Sequence, residues 1–321
     1  MKIYRSKEFI TSNPKIWKEK ILKLGKGSIY TAKTIITGFE FSANKISFGP
    51  ITFRKYDKES DSRIGLWSGR CCVVELIFRD CITNLPQNTP VSMYVEPFWL
   101  IYSVFLALQL YVDSWVGMME IRYFTKNNVE VGSFGGQGVA DSRSITKEPV
   151  VDRLNKKRLL RLMDSQFGKL ELASDRFSRA CTEIIDESII YFVIVLESLL
   201  GISLYDEISH RVSVRAAILL SPTIKEREQY YTVLKYFYSL RSKMVHGKID
   251  EIKHPSLESN SRKALTHIGA DLSGEWWEDR YEISDITRKL TRIVLLYFID
   301  HEDEWNASFL KSLELGVKKL G

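Results

Sequence analysis

Apolar side chains recur at three- and four-residue steps through the carboxy-terminal half of the chain. Phe177, Cys181, Ile184, Ile185, Phe192, Leu196 and Leu199, with Ser188 among them, share one face and predict a single long helix. Tyr230, Val233, Leu234, Phe237, Leu240 and Met244 do the same and predict a second helix from Glu226 to His246, with Gly247 as its stop. Arg211 to Leu220 reads as a helix between them, and Ser284 or Asp285 is predicted to cap a further helix running through Ile293, Leu296 and Phe298. Helices of this kind bury their apolar stripes by packing as an antiparallel bundle. Residues 250–282, with Pro255, two glycines and the Trp276-Trp277 pair, read as an insert carrying a short surface helix.

The pattern is different before about residue 135. Lys45 to Arg54, Cys71 to Phe78 and Met118 to Phe124 have strand character and are separated by Gly, Pro and Asn turn signals. Two helices interrupt them, one from Pro14 to about Leu24 and one along the apolar run Phe98–Val112. That run is bracketed by Glu96 and Asp113 and falls short of the roughly 20 residues a membrane span needs, so it predicts a buried helix and no membrane partner. The glycine-rich stretch Val131–Val139 has neither the Lys-Ser/Thr of a P-loop nor Rossmann spacing and reads as a flexible connection. The fold class expected is therefore mainly α: an α+β domain over residues 1–135 and a helical bundle over 136–321.

Composition narrows the class further. With 45% hydrophobic and 27% charged residues in 321, the chain is globular and long enough for two domains. A net charge of +6 suits a polyanionic partner. Cys71, Cys72, Cys81 and Cys181 form no CxxC pair and have no His at zinc spacing, so reduced thiols in a cytoplasmic protein are expected, with no structural metal and no cofactor. The charged start, MKIYRSKEFITSNPKIWKEK, lacks the apolar core of a signal peptide.

The segment Arg241-Ser242-Lys243-Met-Val-His246-Gly247 concentrates the chemistry. Arg holds a phosphate through paired donors and His moves protons near neutral pH, which together suffice for transesterification of RNA. The same Arg-x4-His spacing recurs at Arg262 and His267, so spacing alone does not choose between them. Context favours the first. Leu196-Glu197-Ser-Leu-Leu200, the helix carrying Arg211 and Arg215, Glu226-Arg227, and Tyr238-Ser-Leu-Arg241-Ser242 leading into Val245-His246-Gly247 together resemble the ApeA-like branch of the HEPN domains. The resemblance extends from about Asp175 to Tyr297 and touches nothing in the first 150 residues.

The resemblance implies an all-helical, commonly dimeric, metal-independent endoribonuclease of a toxin or antiviral system. In it Arg241, Ser242 and His246 would be catalytic, with Lys243, Arg215 and Glu197 supporting or binding substrate. Helix geometry supplies a separate argument for a composite site. At about 100° per residue Ser242 and His246 share a face, whereas Arg241 and His246 stand roughly 140° apart. A two-fold axis beside these helix ends would gather two Arg and two His in one cleft, as the resemblance implies. His246 is then assigned to proton transfer at the 2′-hydroxyl or the leaving 5′-oxygen, Arg241 to the phosphate and Ser242 to orientation.

The competing class is a non-catalytic HEPN scaffold that binds a nucleotide or a partner protein. Two further features have two readings each. Glu197 and Arg215 are expected either to pair between helices or to free Arg215 for phosphate. The stripe of Arg153, Lys157 and Arg161, reinforced by Lys156 and Arg158, is either a solvated face or an RNA-backbone contact. The lysine-rich helix at Lys15, Lys18, Lys20 and Lys23 is expected to dock its Ile16, Trp17, Ile21 and Leu22 face onto the domain. The first domain is expected to sense a regulatory or phage-derived ligand.

Overall fold

In the computed structural model the chain divides into two compact units, Met1–Phe167 and Gly168–Gly321. The structure describes residues 29–43, 45–48, 50–62, 64, 71–79, 95–134, 150–151, 155–165, 169–201, 207–247 and 259–315. The predicted lysine-rich helix from Pro14, the glycine-rich residues 135–139, Arg153 and residues 250–258 lie outside these.

The first unit contains β1 (Ile29–Thr37), β2 (Glu40–Phe41), β3 (Lys45–Phe48), β4 (Ile51–Lys55), the one-turn α1 (Lys58–Asp61), β5 (Cys71–Arg79) and α2 (Val95–Tyr111). It continues through β6 (Gly117–Met118), β7 (Ile121–Thr125), β8 (Glu130–Phe134), β9 (Val150–Val151) and α3 (Lys156–Asp164). Antiparallel pairing gives the strand order β3-β4-β5-β1-β7-β8, with β6 also on β1; β2 and β9 form a separate parallel pair. The central strand β1 pairs with β5 from Ile29↔Arg79 to Thr37↔Cys71, and Ile35, Cys71, Val73, Phe124 and Ile64 pack into one cluster.

The strand-like run Lys45–Arg54 folds on itself as the β3-β4 hairpin, in the register Lys45↔Arg54 to Phe48↔Ile51. The start of the predicted glycine-rich connection is instead the edge strand β8, paired with β7. α3 belongs to this unit because it packs on α2, and the Asn155 N–H before it donates to the Tyr111 hydroxyl at 3.0 Å. The boundary therefore falls at Phe167/Gly168, later than the change in texture near residue 135. On α3, Lys156, Lys157 and Arg161 are exposed while Leu159, Leu162 and Met163 are buried. Among the described residues no helix is long and apolar enough to cross a membrane.

The second unit is helical: α4 (Glu171–Thr182), α5 (Ile185–Leu200), α6 (Ile208–Leu220), α7 (Ile224–Val245), α8 (Ser259–His267), α9 (Trp276–Asp300) and α10 (Ala307–Glu314). The single long helix expected through Phe177 and Leu199 is two. The backbone turns extended at Glu183 and Ile184, where Thr182 Oγ1 bonds back to the Arg179 carbonyl at 3.0 Å. Asp186 and Glu187 then restart a helix in a first turn whose dipole favours acids.

Ser284 is not a cap. α9 begins at Trp276, and the buried Ser284 hydroxyl meets that of Ser188 on α5 at 2.6 Å. The expected antiparallel packing holds for α6 and α7, where Lys235 reaches Ser209 and Arg227 reaches Ser221. It fails for α5 and α9, which run parallel: Asp186 meets Arg280, Ser188 meets Ser284, and Leu199 accepts from Trp305 just past the end of α9. The α6-α7 hairpin takes the chain out and back, and α9 begins beside the start of α5, where Arg280 meets Asp186. Phe177, Phe192, Leu196, Val233, Phe237, Ile283, Val294, Phe298 and Leu310 are buried within this unit.

Candidate functional site

The helix that carries the Arg-x4-His segment is fixed at both ends by its own sequence. At the start, Thr223 Oγ1 accepts from Glu226 N–H at 3.4 Å while the Glu226 carboxylate bonds the Thr223 and Ser221 hydroxyls, and Arg227 Nε donates to the Ser221 carbonyl at 2.7 Å. At the end, the His246 N–H donates to the Ser242 carbonyl at 3.1 Å and the Gly247 N–H to the Met244 carbonyl at 3.2 Å. Gly247 takes φ +68°, the left-handed conformation that ends a helix most cheaply in glycine. His246 is thus the cap residue, its imidazole exposed beyond the last turn, with Ser242 exposed on the same face. Lys243, in the same turn, is half-buried.

Arg241 points the other way, as the angular argument requires. Its Nη2 lies 3.5 Å from Glu197 Oε2 on α5, with the two side chains 34% and 25% exposed. Its Nε is buried without a hydrogen-bond partner among the described residues. The Glu197 carboxyl is pushed up from its ordinary range by burial, with Arg241 pulling it down less strongly. Beside them the buried Tyr238 phenol is pushed well above its usual range, by burial first and by the Glu197 charge second, with Arg241 opposing. The pair is long, half-buried and not fully compensated. Glu197 therefore orients the guanidinium without saturating it, and Arg241 retains donors for an anionic group.

Arg215 does not take part. The expected Glu197–Arg215 pair is replaced by two others, Glu197–Arg241 and Arg215–Glu314. Arg215 is 3% exposed; its Nε donates to Glu314 Oε1 at 2.8 Å and its Nη1 to the Leu200 carbonyl at the end of α5. Arg211, one turn earlier, takes both oxygens of the same carboxylate at 3.0 and 2.9 Å. The expected partner is corrected: Arg215 is buried against Glu314, an acid that comes from α10, far along the chain. Burial raises the Glu314 carboxyl and the two guanidiniums more than reverse this, leaving it below its ordinary range. Burial pushes the Arg215 guanidinium down; Glu314 opposes this, and the neighbouring Arg211 charge adds to the lowering.

The second Arg-x4-His match has a structural use. Arg262 Nη2 donates to the Leu272 carbonyl at 3.0 Å and lies against Gly274, whose φ is +99°. The buried Asp279 carboxylate accepts from Ser273 and Gly274 in the same turn. His267 is exposed at the end of α8.

A polar group that was not singled out from sequence lies on the α6-α7 hairpin. Lys235 Nζ donates to Ser209 Oγ at 2.8 Å, and His210 Nδ1 and the Tyr231 hydroxyl share a hydrogen bond of 2.8 Å with their rings edge-to-face. Its one sequence signal is the four-residue spacing of Tyr231, Lys235 and Ser239, polar positions between the apolar ones of α7. No family model, no curated protein and no solved structure matches this chain.

Proposed function

We propose that the chain is a HEPN-type endoribonuclease that cleaves RNA without a metal at a site built from Arg241, Ser242 and His246. The observation that carries this is the end of α7: an imidazole exposed beyond the last turn, one turn from an arginine that Glu197 steers but does not neutralise. His246 removes the proton of the ribose 2′-hydroxyl, whose oxygen attacks the adjacent phosphorus. The bond to the 5′-oxygen breaks, a second imidazole returns a proton to that oxygen, and the products carry a 2′,3′-cyclic phosphate and a 5′-hydroxyl. Arg241 balances the negative charge that builds on the phosphoryl oxygens, and Ser242 orients the ribose.

Because Arg241 and His246 diverge on one helix, the working site belongs to a homodimer whose two-fold axis brings two helix ends together. Lys243, in the same turn, adds charge for the RNA backbone, and Glu197 acts as a positioning residue. The first unit serves as the sensor of a regulatory or phage-derived ligand, and the biological setting is cytoplasmic antiviral defence or toxin-type growth arrest. The test is purified protein against total RNA in excess chelator, with His246→Ala beside it and the product ends mapped. Cyclic phosphate and 5′-hydroxyl ends, absent with the variant and absent from 2′-O-methylated RNA, are expected. Products with 5′-phosphate ends, or an absolute need for Mg²⁺, would overturn the mechanism. Binding of a nucleotide or protein partner with no cleavage would return the chain to the scaffold class.

A further inference from the structure

Tyr231, Lys235, Ser239 and Ser242 fall within about 80° of arc on α7, and His246 follows on the same side at its end. Ser239, Ser242 and His246 are exposed, and Tyr231 and Lys235 are half-buried where α6 adds Ser209 and the exposed His210. The stripe holds an ammonium and an exposed His210 ring bonded to Tyr231 at one end and His246 at the other. The rise from Lys235 to His246 is roughly 16 Å. A cation one helical turn from an aromatic ring, continued by small hydroxyls, matches what a single strand needs: charge for a phosphate, a ring for a base, and no bulk between them. Double-stranded RNA, read by its shape across grooves, has no use for a ring that stacks on an unpaired base.

We infer that this face of α7 is the track along which single-stranded RNA lies, with Lys235 contacting a phosphate and the exposed His210 ring, held edge-to-face by Tyr231, stacking a base a few nucleotides from the scissile bond. The inference rests on the ribonuclease reading for the identity of the ligand, and it places the determinant of length and strandedness on the α6-α7 hairpin and not at Arg241.

The experiment measures binding of fluorescently labelled RNA to full-length protein carrying His246→Ala, over a range of salt. Ser239→Glu puts a like charge to phosphate on an exposed position and leaves packing alone, so it should weaken binding of a single strand of about ten nucleotides roughly tenfold. Lys235→Ala should weaken it similarly and reduce the slope of log K against log salt by about 0.7, as expected for one lost phosphate contact to a single strand. Lys235→Arg should restore that slope, which a merely misfolded Lys235→Ala would not predict, and Lys263→Ala, at an exposed position of α8, should do nothing. A single strand bound as well by Ser239→Glu and Lys235→Ala as by the parent overturns the track. If wild type cleaves RNA in that case, the ribonuclease reading stands without it. If no RNA is cleaved and the two variants still lose affinity, the track stands and the ribonuclease reading falls. Equal effects of the variants on duplex and single-stranded RNA would overturn the single-strand assignment.

Discussion

Glu314→Gln neutralises the carboxylate that Arg211 and Arg215 share, and its effect separates folding from catalysis. Arg215 is 3% and Glu314 21% exposed. Breaking a buried ion pair by neutralising one partner costs about 3–5 kcal/mol. The partial exposure of Glu314 and the hydrogen bonds an amide still accepts place this case at the lower end, about 3 kcal/mol, or roughly a hundredfold in the ratio of folded to unfolded chain. For a unit of this size that corresponds to a fall in melting temperature of about 6–12 °C.

The assay is hydrogen exchange of peptides from α6 and α10, which resolves the second unit from the first, supported by thermal melts. The sign with pH follows from the lowered carboxyl of Glu314. The wild-type advantage is full above the ordinary carboxylate range and shrinks as pH falls through the depressed value, where wild type also loses its charge. Arg215→Ala should lose activity only in proportion to the unfolded fraction. Equal stability of Glu314→Gln and wild type at neutral pH, or a deficit that persists unchanged into acid, would refute the buried-pair argument. Folded Arg215→Ala protein with no activity would return Arg215 to the substrate.

Arg241→Ala and His246→Ala should each abolish RNA cleavage with melting temperatures within a few degrees of wild type, whereas Arg262→Ala should cost about 1 kcal/mol through its lost bond to Leu272 and leave turnover intact. Gly247→Ala forces a side chain into φ +68° with nothing within 4 Å of the new Cβ, so a loss of about 1 kcal/mol and of activity, milder in Gly247→Asn, should come from backbone strain at His246 and not from a clash. Glu197→Gln should be neutral or stabilising at neutral pH, because a carboxyl whose folded value is raised loses stability as pH rises; wild type should gain on the variant as pH falls through that range, read by melts across pH. Light scattering should give a two-fold dimer; a monomer that cleaves at assay concentration would sink the composite site.

What could be read from the sequence follows the range of the interaction. Helix α7, its glycine stop and the exposure of His246 are set by residues within one turn of each other, and they came out as the pattern implied. The two-helix break at Glu183 and Ile184 carries no Pro or Gly, only the back-bonding Thr182 and the acids after it, so unbroken apolar spacing concealed it. Ser284 has the chemistry of a cap and lies in a helix interior because its small hydroxyl lets α9 approach Ser188 closely. β1, the centre of the sheet, was not singled out, since Thr31, Lys33 and Thr34 interrupt its apolar run. Partner choice was the least legible. Arg215 could have met any nearby acid, and only the return of the chain through α9 to α10 supplies Glu314.

That last exchange changes what the site requires. Had Glu197 paired with Arg215, Arg241 would have entered the site as an unrestrained guanidinium on a helix surface. Instead the acid of α5 is given to Arg241, and Arg215 is satisfied from α10 and the end of α5. The two pairs are linked through α5, because Leu200, which accepts from Arg215, lies one turn beyond Glu197. Loosening α10 is therefore expected to free the end of α5 whose Glu197 meets Arg241, which would couple stability at Glu314 to geometry at Arg241. A double-mutant cycle between Glu314→Gln and Arg241→Lys, read in cleavage rate per folded molecule, should show non-additivity of about 0.5 kcal/mol or more if that coupling operates. Strict additivity would mean that α5 holds its end without help from α10.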